Sequence, residues 1–239
     1  ASVSLAPPGT RLYATSTRTA GPRVGAVYRL ADRRGWTTTV RGGYGLYFDL
    51  GYGAVANAAG AFPLLRTKRL AAGTAFPLNA ASAAPLAVDA GPPYDLIRAL
   101  DPELRLPRTH QYSVGVDQQL GGARTLTASY VGALGRRLLR QESVNAPNAS
   151  IGILQLTTNR DRSDYDALQL QFVDRTIASL VLQAGYTLST STDTSSSAAS
   201  FLPPSERFDP ALDDGPSDFD ARHAASAALS WSTPAPRGT

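Results

Sequence analysis

The sequence predicts an all-β fold: about seven strands of an antiparallel, up-and-down transmembrane β-barrel. Three observations carry the prediction. Seven stretches alternate apolar with small or polar residues, most clearly Leu168-Gln169-Leu170-Gln171-Phe172. Successive side chains of a strand point to opposite faces, so one face asks for hydrocarbon and the other for water. The connections between stretches are alternately very short and very long. No run reaches the roughly 18 to 20 apolar residues of a spanning helix, which leaves a closed barrel as the only way across a bilayer.

The first strand runs from Arg23 to Leu30 after a Pro- and Gly-bearing loop over 1–22, with Val24, Ala26, Tyr28 and Leu30 on one face. Ala31 to Gly35 turns the chain into a second strand, Trp36 to Asp49. Val40, Gly42, Tyr44, Leu46 and Phe48 share one face there, and Thr39, Arg41, Gly43, Gly45, Tyr47 and Asp49 the other. Residues 50–108 hold no convincing strand pair and read as one long extracellular loop. Such a length is unusual inside a compact soluble domain but ordinary on an outer-membrane barrel.

A hairpin over 109–140 follows. Tyr112, Val114 and Val116 oppose Ser113, Gly115, Asp117 and Gln119, and Gly121 to Arg124 make the turn. A loop is expected over 141–163, a third hairpin over 164–189 with its turn at Asp174 to Ala178, and a Ser/Thr-rich loop over 190–221. A last strand, Arg222 to Ser232, places Ala225, Ala227, Leu229 and Trp231 on one face. The three short turns, four or five residues each, fall on one rim and the three long connections on the other. Short periplasmic turns with long extracellular loops are the outer-membrane pattern. A soluble antiparallel sheet, as in a binding or adhesion module, gives the same alternation and stands as the alternative.

Composition narrows the classes further. The absence of cysteine removes disulfides and thiolate metal sites. With no methionine, no charged-then-apolar leader and a turn-like Pro234 to Thr239, the chain reads as a piece of a longer protein. The net charge of +4 comes almost wholly from arginines scattered through turns and loops, without the basic strip of a nucleic-acid binder.

No catalytic, cofactor-binding or metal site is expected, and an enzyme is a distant third reading. His110 and His223 lie where long connections re-enter the wall and lack a third ligand at metal spacing, so they read as polar rim residues. Asp161, Asp164 and Asp166, and then Asp213, Asp214, Asp218 and Asp220, lie among Arg160, Arg162 and Arg222 and read as rim ion pairs, not as a calcium loop. Ser195 to Ser197 lack a nucleophile-elbow pattern, and no helix follows Gly42-Gly43-x-Gly45 as a dinucleotide site requires. The candidate lumen face is Arg41, Asp49, Asp117, Gln119, Gln169, Gln171 and Gln183. The candidate lipid face and aromatic girdle are Tyr28, Trp36, Phe48, Tyr112, Leu170, Phe172 and Trp231. Tyr44, Tyr130 and Tyr186 fall nearer mid-strand and fit a girdle less well.

Particular strings carry a resemblance. Pro22-Arg23-Val24-Gly25, Val40 through Gly42-Gly43-Tyr44-Gly45 to Asp49, and Gln111 to Val116 resemble the barrel of TonB-dependent outer-membrane receptors. So do Ser129-Tyr130-Val131-Gly132, Asn159 to Phe172, and Asp218-Phe219-Asp220-Ala221-Arg222-His223. The nearest group is the Oar-like one that contains a carboxypeptidase regulatory domain, matched in order from about residue 20 to 232. The resemblance implies a plugged barrel of about 22 strands in the outer membrane of a Gram-negative bacterium. It further implies active uptake of a large or scarce solute, driven by the TonB complex through a plug that this chain lacks. The chain departs from the group's pattern at Asp161 (usually glycine), Leu188 (often tryptophan) and Ala224-Ala225 (usually bulky). The expected partners are outer-membrane lipid, the TonB complex and an unknown solute.

Overall fold

The computed structural model describes residues 9–14, 16, 19–49, 53, 55–56, 60, 62, 65, 68–70, 72–84, 92–196, 201–202 and 209–233. Pro7, Pro8, Ser197 and the stretch 234–239 lie outside them, as do parts of the long connections. The strands are β1 (Arg23–Arg33), β2 (Trp36–Phe48), β3 (Tyr94–Leu100), β4 (Arg108–Leu120), β5 (Arg124–Asn148), β6 (Ile151–Ile177), β7 (Leu180–Asp193), β8 (Phe201–Leu202), β9 (Gly215–Pro216) and β10 (His223–Trp231). Seven form one meander in the order β1-β2-β4-β5-β6-β7-β10, each antiparallel to its neighbour. Among the described residues the sheet is open, with β1 and β10 at its edges.

The turns at one rim are tighter than expected. Arg34-Gly35, Gly121-Gly122-Ala123 and Ala178-Ser179 suffice. Gly35, Gly121 and Gly122 have φ of 77°, 68° and 82°, a region open to glycine at little cost.

The other rim differs more from expectation. Residues 141–163 are not a loop, because β5 runs on to Asn148 and β6 begins at Ile151, so the hairpin projects well past the wall. Bulges between Arg136 and Leu138 and between Asn145 and Asn148 break the alternation there, with Arg137 and Ala146 at positive φ. The expected loop over 50–108 contains β3, which pairs parallel with the outer part of β6 from Ile151 to Thr157. Its sequence, Tyr-Asp-Leu-Ile-Arg-Ala-Leu, lacks clean alternation because it is covered on both sides. The loop over 190–221 contributes the end of β7 and the short strands β8 and β9, the latter paired with Thr192 and Asp193.

The closed apolar core therefore sits in this outer layer, not in the wall. Leu100, Leu104 and Leu139 pack with Val55, and Tyr94, Ile97 and Ile151 with Phe62 and Leu154.

Candidate functional site

The register assigns every wall side chain to a face. Tyr28, Val40, Val116, Ala128, Leu170, Tyr186 and Ala225 stand side by side on seven strands. On the opposite face Thr39, Asp117, Thr127, Gln171, Gly185 and Ser226 form an equivalent row. The apolar face is bare: Val114 is 53% exposed, Leu168 41% and Leu170 38%, although all three belong to strands flanked on both sides. A continuous apolar surface of that extent requires a nonaqueous partner.

Four tyrosines edge this face toward the long-connection rim, each bonded to a polar group. Tyr44 Oη lies 2.7 Å from His110 Nδ1, and Tyr186 Oη 2.8 Å from His223 Nδ1. Tyr112 and Tyr130 both donate to Asp166 Oδ1, at 2.7 and 2.8 Å. Tyr44 is in register with Tyr112 and Gly132, Tyr130 lies two residues nearer the short turns than Gly132, and Tyr186 two residues nearer than Leu188, the partner of Leu168. The line thus slips four residues over the four steps from β2 to β7. A level line with this slip, one residue of about 3.3 Å per strand spacing of about 4.8 Å, corresponds to a strand tilt of about 35°, at the low end of the barrel range. Along β2 the apolar face from Tyr44 to Trp36 covers roughly 26 Å of strand, or roughly 22 Å of height at that tilt, close to the apolar band of an outer-membrane barrel.

The polar face carries its own network. Arg41 Nε lies 3.6 Å from Asp117 Oδ2, and Thr127 donates to Asp117 Oδ1 at 2.7 Å. Nearer the long connections, the Arg23 guanidinium stacks 4.5 Å from the centre of the Tyr47 ring. That ring covers Gly45 so closely that a β-carbon there would meet it at 2.7 Å. Gly25, Gly43 and Gly45 floor a depression of about 620 Å³, with Gln111, Ser113 and Tyr165 on its walls.

Above the wall, a buried charged knot ties three segments together. Arg140, 1% exposed, donates Nε to Glu142 Oε1 at 2.8 Å and Nη1 to the Thr194 carbonyl at 2.7 Å, and its Nη2 reaches Asp213. Thr194 donates its hydroxyl to Asp161. Burial pushes the Asp161 carboxyl up to about 6, against the opposing pull of the Thr194 hydroxyl and Arg140. The sequence gives little warning of this knot, because a run such as Arg140-Gln141-Glu142 ordinarily marks solvent.

Arg41, Asp117, Gln119, Gln169, Gln171 and Gln183 all fall on the polar face. Asp49 lies one residue past β2 and keeps its register through a 3.0 Å bond to the Pro107 carbonyl. Tyr28, Trp36, Phe48, Tyr112, Leu170, Phe172 and Trp231 fall on the apolar face. Trp36 opens β2 and Trp231 closes β10 at the short-turn rim, whereas Phe172 stands further in, opposite Leu126 and Ala184. Within the acidic clusters, Asp164 and Asp214 form rim ion pairs, with Arg136 at 2.5 Å and with Arg162 at 2.9 Å, whereas Asp166 and Asp220 accept hydrogen bonds, the latter from the Ser191 N–H.

A family described as an outer membrane beta barrel domain matches residues 2–239. Among solved structures, the outer membrane transporter YddB from Escherichia coli aligns at 13% identity with a TM-score of 0.41, over 66% of this chain and 18% of that one. The chain thus spans less than a fifth of that transporter. No curated protein matches the sequence.

Proposed function

The chain belongs to the family of outer membrane beta barrel domains, and from that premise we propose that it is part of the wall of a TonB-dependent transporter that actively takes up a large or scarce solute. The apolar face meets lipid and the polar face lines the lumen. The projecting β5–β6 hairpin, with β3, β8 and β9 against it, forms the extracellular mouth. The observation that carries this reading is the tyrosine line: four rings on the apolar face, stepping one residue per strand as an interfacial girdle on a tilted barrel wall would, each hydroxyl held by a histidine or Asp166. The soluble binding-module alternative gives way, since a family barrel domain with a bare apolar face belongs in a bilayer.

The active, TonB-driven step rests on the ordered strings from Pro22 to His223. The depression around Arg23, Tyr47 and the bare backbone of Gly43 and Gly45 is the place on the lumen wall best formed to meet solute or plug. The wall has no enzymatic or nucleic-acid role in this reading.

The test uses cells carrying the full-length protein. Accumulation of labelled siderophore, cobalamin, oligosaccharide or peptide is measured before and after the inner-membrane proton gradient is collapsed. Concentrative uptake of one class that stops with the gradient is expected. Gradient-independent, merely equilibrating entry would make the protein a passive pore and overturn the proposal.

A further inference from the structure

The depression beside Arg23 and Tyr47 on the polar face has a floor that the protein leaves unfilled. Several wall glycines make room for a neighbour: a β-carbon on Gly45 would meet the Tyr47 ring, and one on Gly135 the Ser163 side chain. Gly25 and Gly43, paired across β1 and β2, make room for nothing of the kind. A β-carbon would come no nearer than 3.6 Å to a backbone oxygen at Gly25 and 3.4 Å at Gly43, both ordinary contacts. Glycine weakens a strand interior, and where packing does not demand it, it marks a place that a ligand approaches closely.

Around this floor stand Gln111, Ser113 and Tyr165, and none of their side chains has a hydrogen-bond partner among the described residues. An amide and two hydroxyls can each donate and accept. The one charge is that of Arg23, whose guanidinium rests 4.5 Å from the centre of the Tyr47 ring and has no carboxylate among the described residues. The acid that this face carries on β4, Asp117, lies four residues beyond Ser113 and is already engaged by Arg41 and Thr127.

These groups select a ligand class. The backbone of the floor lies in the plane of the sheet and is spent on the ladder Gly25–Gly43–Ser113, so an approaching peptide gains no strand pairing here. A solute bearing several negative charges at this point would find a single cation. A flat ring edged with hydroxyls and carrying one carboxylate matches the rest: the bare floor admits the ring, the neutral groups meet its hydroxyls, and the guanidinium fork takes a carboxylate through two parallel bonds. The volume of about 620 Å³ lies in the ordinary range of small-molecule sites.

We propose that the depression binds an acidic sugar, a hexuronate unit of an oligosaccharide. Its ring lies on Gly25 and Gly43, its hydroxyls bond Gln111, Ser113 and Tyr165, and its carboxylate bonds Arg23. The inference rests on the reading of the polar face as the lumen of a transporter and names the class of solute that this face meets.

The test uses the full-length protein purified from outer membranes in nonionic detergent, with binding read by isothermal titration calorimetry. The probes are tetragalacturonate, the same tetramer with its carboxylates reduced to alcohols, and tetraglutamate. Wild type is expected to bind tetragalacturonate at least tenfold more tightly than either of the others. R23Q is expected to bring the acidic tetramer down to the level of the neutral one. G43V, which fills the floor with a strand-compatible side chain, is expected to weaken both sugars tenfold or more, and R34Q, in a turn at the opposite rim, to match wild type. Heat-modifiable gel migration reports whether each variant is folded; the wild-type ranking of the three probes decides the matter if R23Q and G43V are not. No binding of tetragalacturonate, equal binding of the two sugars, or wild-type affinities in folded R23Q or G43V would overturn the site. Tetraglutamate bound as tightly as tetragalacturonate would overturn the sugar assignment. Binding in detergent involves no gradient, so the site and the transport reading fail separately. Cells that concentrate another solute while the purified protein ignores the uronate would overturn the site alone, and tight uronate binding with gradient-independent entry would overturn active uptake alone.

Discussion

Tyr112 and Asp166, on strands that do not touch, meet directly across Gly132, with the phenol donating to Oδ1 at 2.7 Å. The contact exists because β5 has no side chain at the crossing point: a β-carbon on Gly132 would come within 2.2 Å of the Tyr112 ring. Gly132→Ala is therefore expected to swing the ring away and break the bond. A hydrogen bond to a charged group contributes about 1.5–3 kcal/mol, and the lower end applies at this partly exposed site. The midpoint of heat-modifiable migration of the full-length protein should fall in Gly132→Ala. Tyr112→Phe should lower it similarly, and the two changes together should add little beyond either.

Leu170 and Gln171 are adjacent and face opposite ways, so they test the wall's orientation. Leu170→Arg places a guanidinium within the apolar band, at a cost of about 2–4 kcal/mol at mid-membrane. Gln171→Arg puts the same group on the polar face beside Thr127 and Gly185, where water receives it. Outer-membrane levels of the full-length protein should drop sharply for the first variant and hold for the second. Equal levels would refute the facing.

The two faces were readable from residue order because period-two alternation survives in every wall strand, from Val24-Gly25-Ala26 to Leu229-Ser230-Trp231. The tyrosine girdle was only half readable. Tyr44, Tyr130 and Tyr186 look mid-strand when each strand is counted from its own end, and they align only once the one-residue slip per strand is known. The outer layer is hidden in the sequence for a different reason. Arg140, Gln141 and Glu142 are almost fully buried, and a run of polar residues states nothing of the partners, Thr194 and Asp213, that allow it. The parallel strand β3 is hidden with it, since its partner is the outer part of β6, whose residues show no clean alternation.

The Arg140–Glu142 pair is buried on both sides, at 1% and 0% side-chain exposure. Removing one member of such a pair typically costs about 3–5 kcal/mol, because the other charge is left in a dry site. Arg140→Leu should therefore loosen the layer of β3, β8 and β9 around the β5–β6 hairpin, while the double change Arg140→Leu, Glu142→Leu should recover part of the loss. Limited proteolysis of the full-length protein separates the layer from the wall: cleavage between residues 194 and 214 should rise in the single variant while the membrane-embedded fragments stay protected. A single variant as resistant as wild type would remove the knot as the element that ties this layer down.

Asp161 gives the same knot a pH dependence whose sign follows from its surroundings. The groups around it are Thr194, which donates to it, Arg140, which attracts its charge, Asp193, which repels it, and the backbone N–H of Arg162. Burial outweighs the favourable partners and raises the carboxyl from its ordinary value of 3.8 to about 6. An acid raised in the folded state holds its proton more tightly there than in the opened state. Its contribution to stability is thus whole below about 3.8 and lost as pH rises through about 6. Between pH 5 and pH 7.5 the outer hairpin should become easier to open, read as faster hydrogen exchange of peptides spanning 138–161 and 189–194 after correction for intrinsic rates. Asp161→Asn keeps an acceptor for the Thr194 hydroxyl but carries no charge to desolvate. It should hold exchange at the slow, low-pH level throughout this range. Faster exchange at pH 5 than at 7.5 in the wild type would reverse the sign and place the controlling proton on another group.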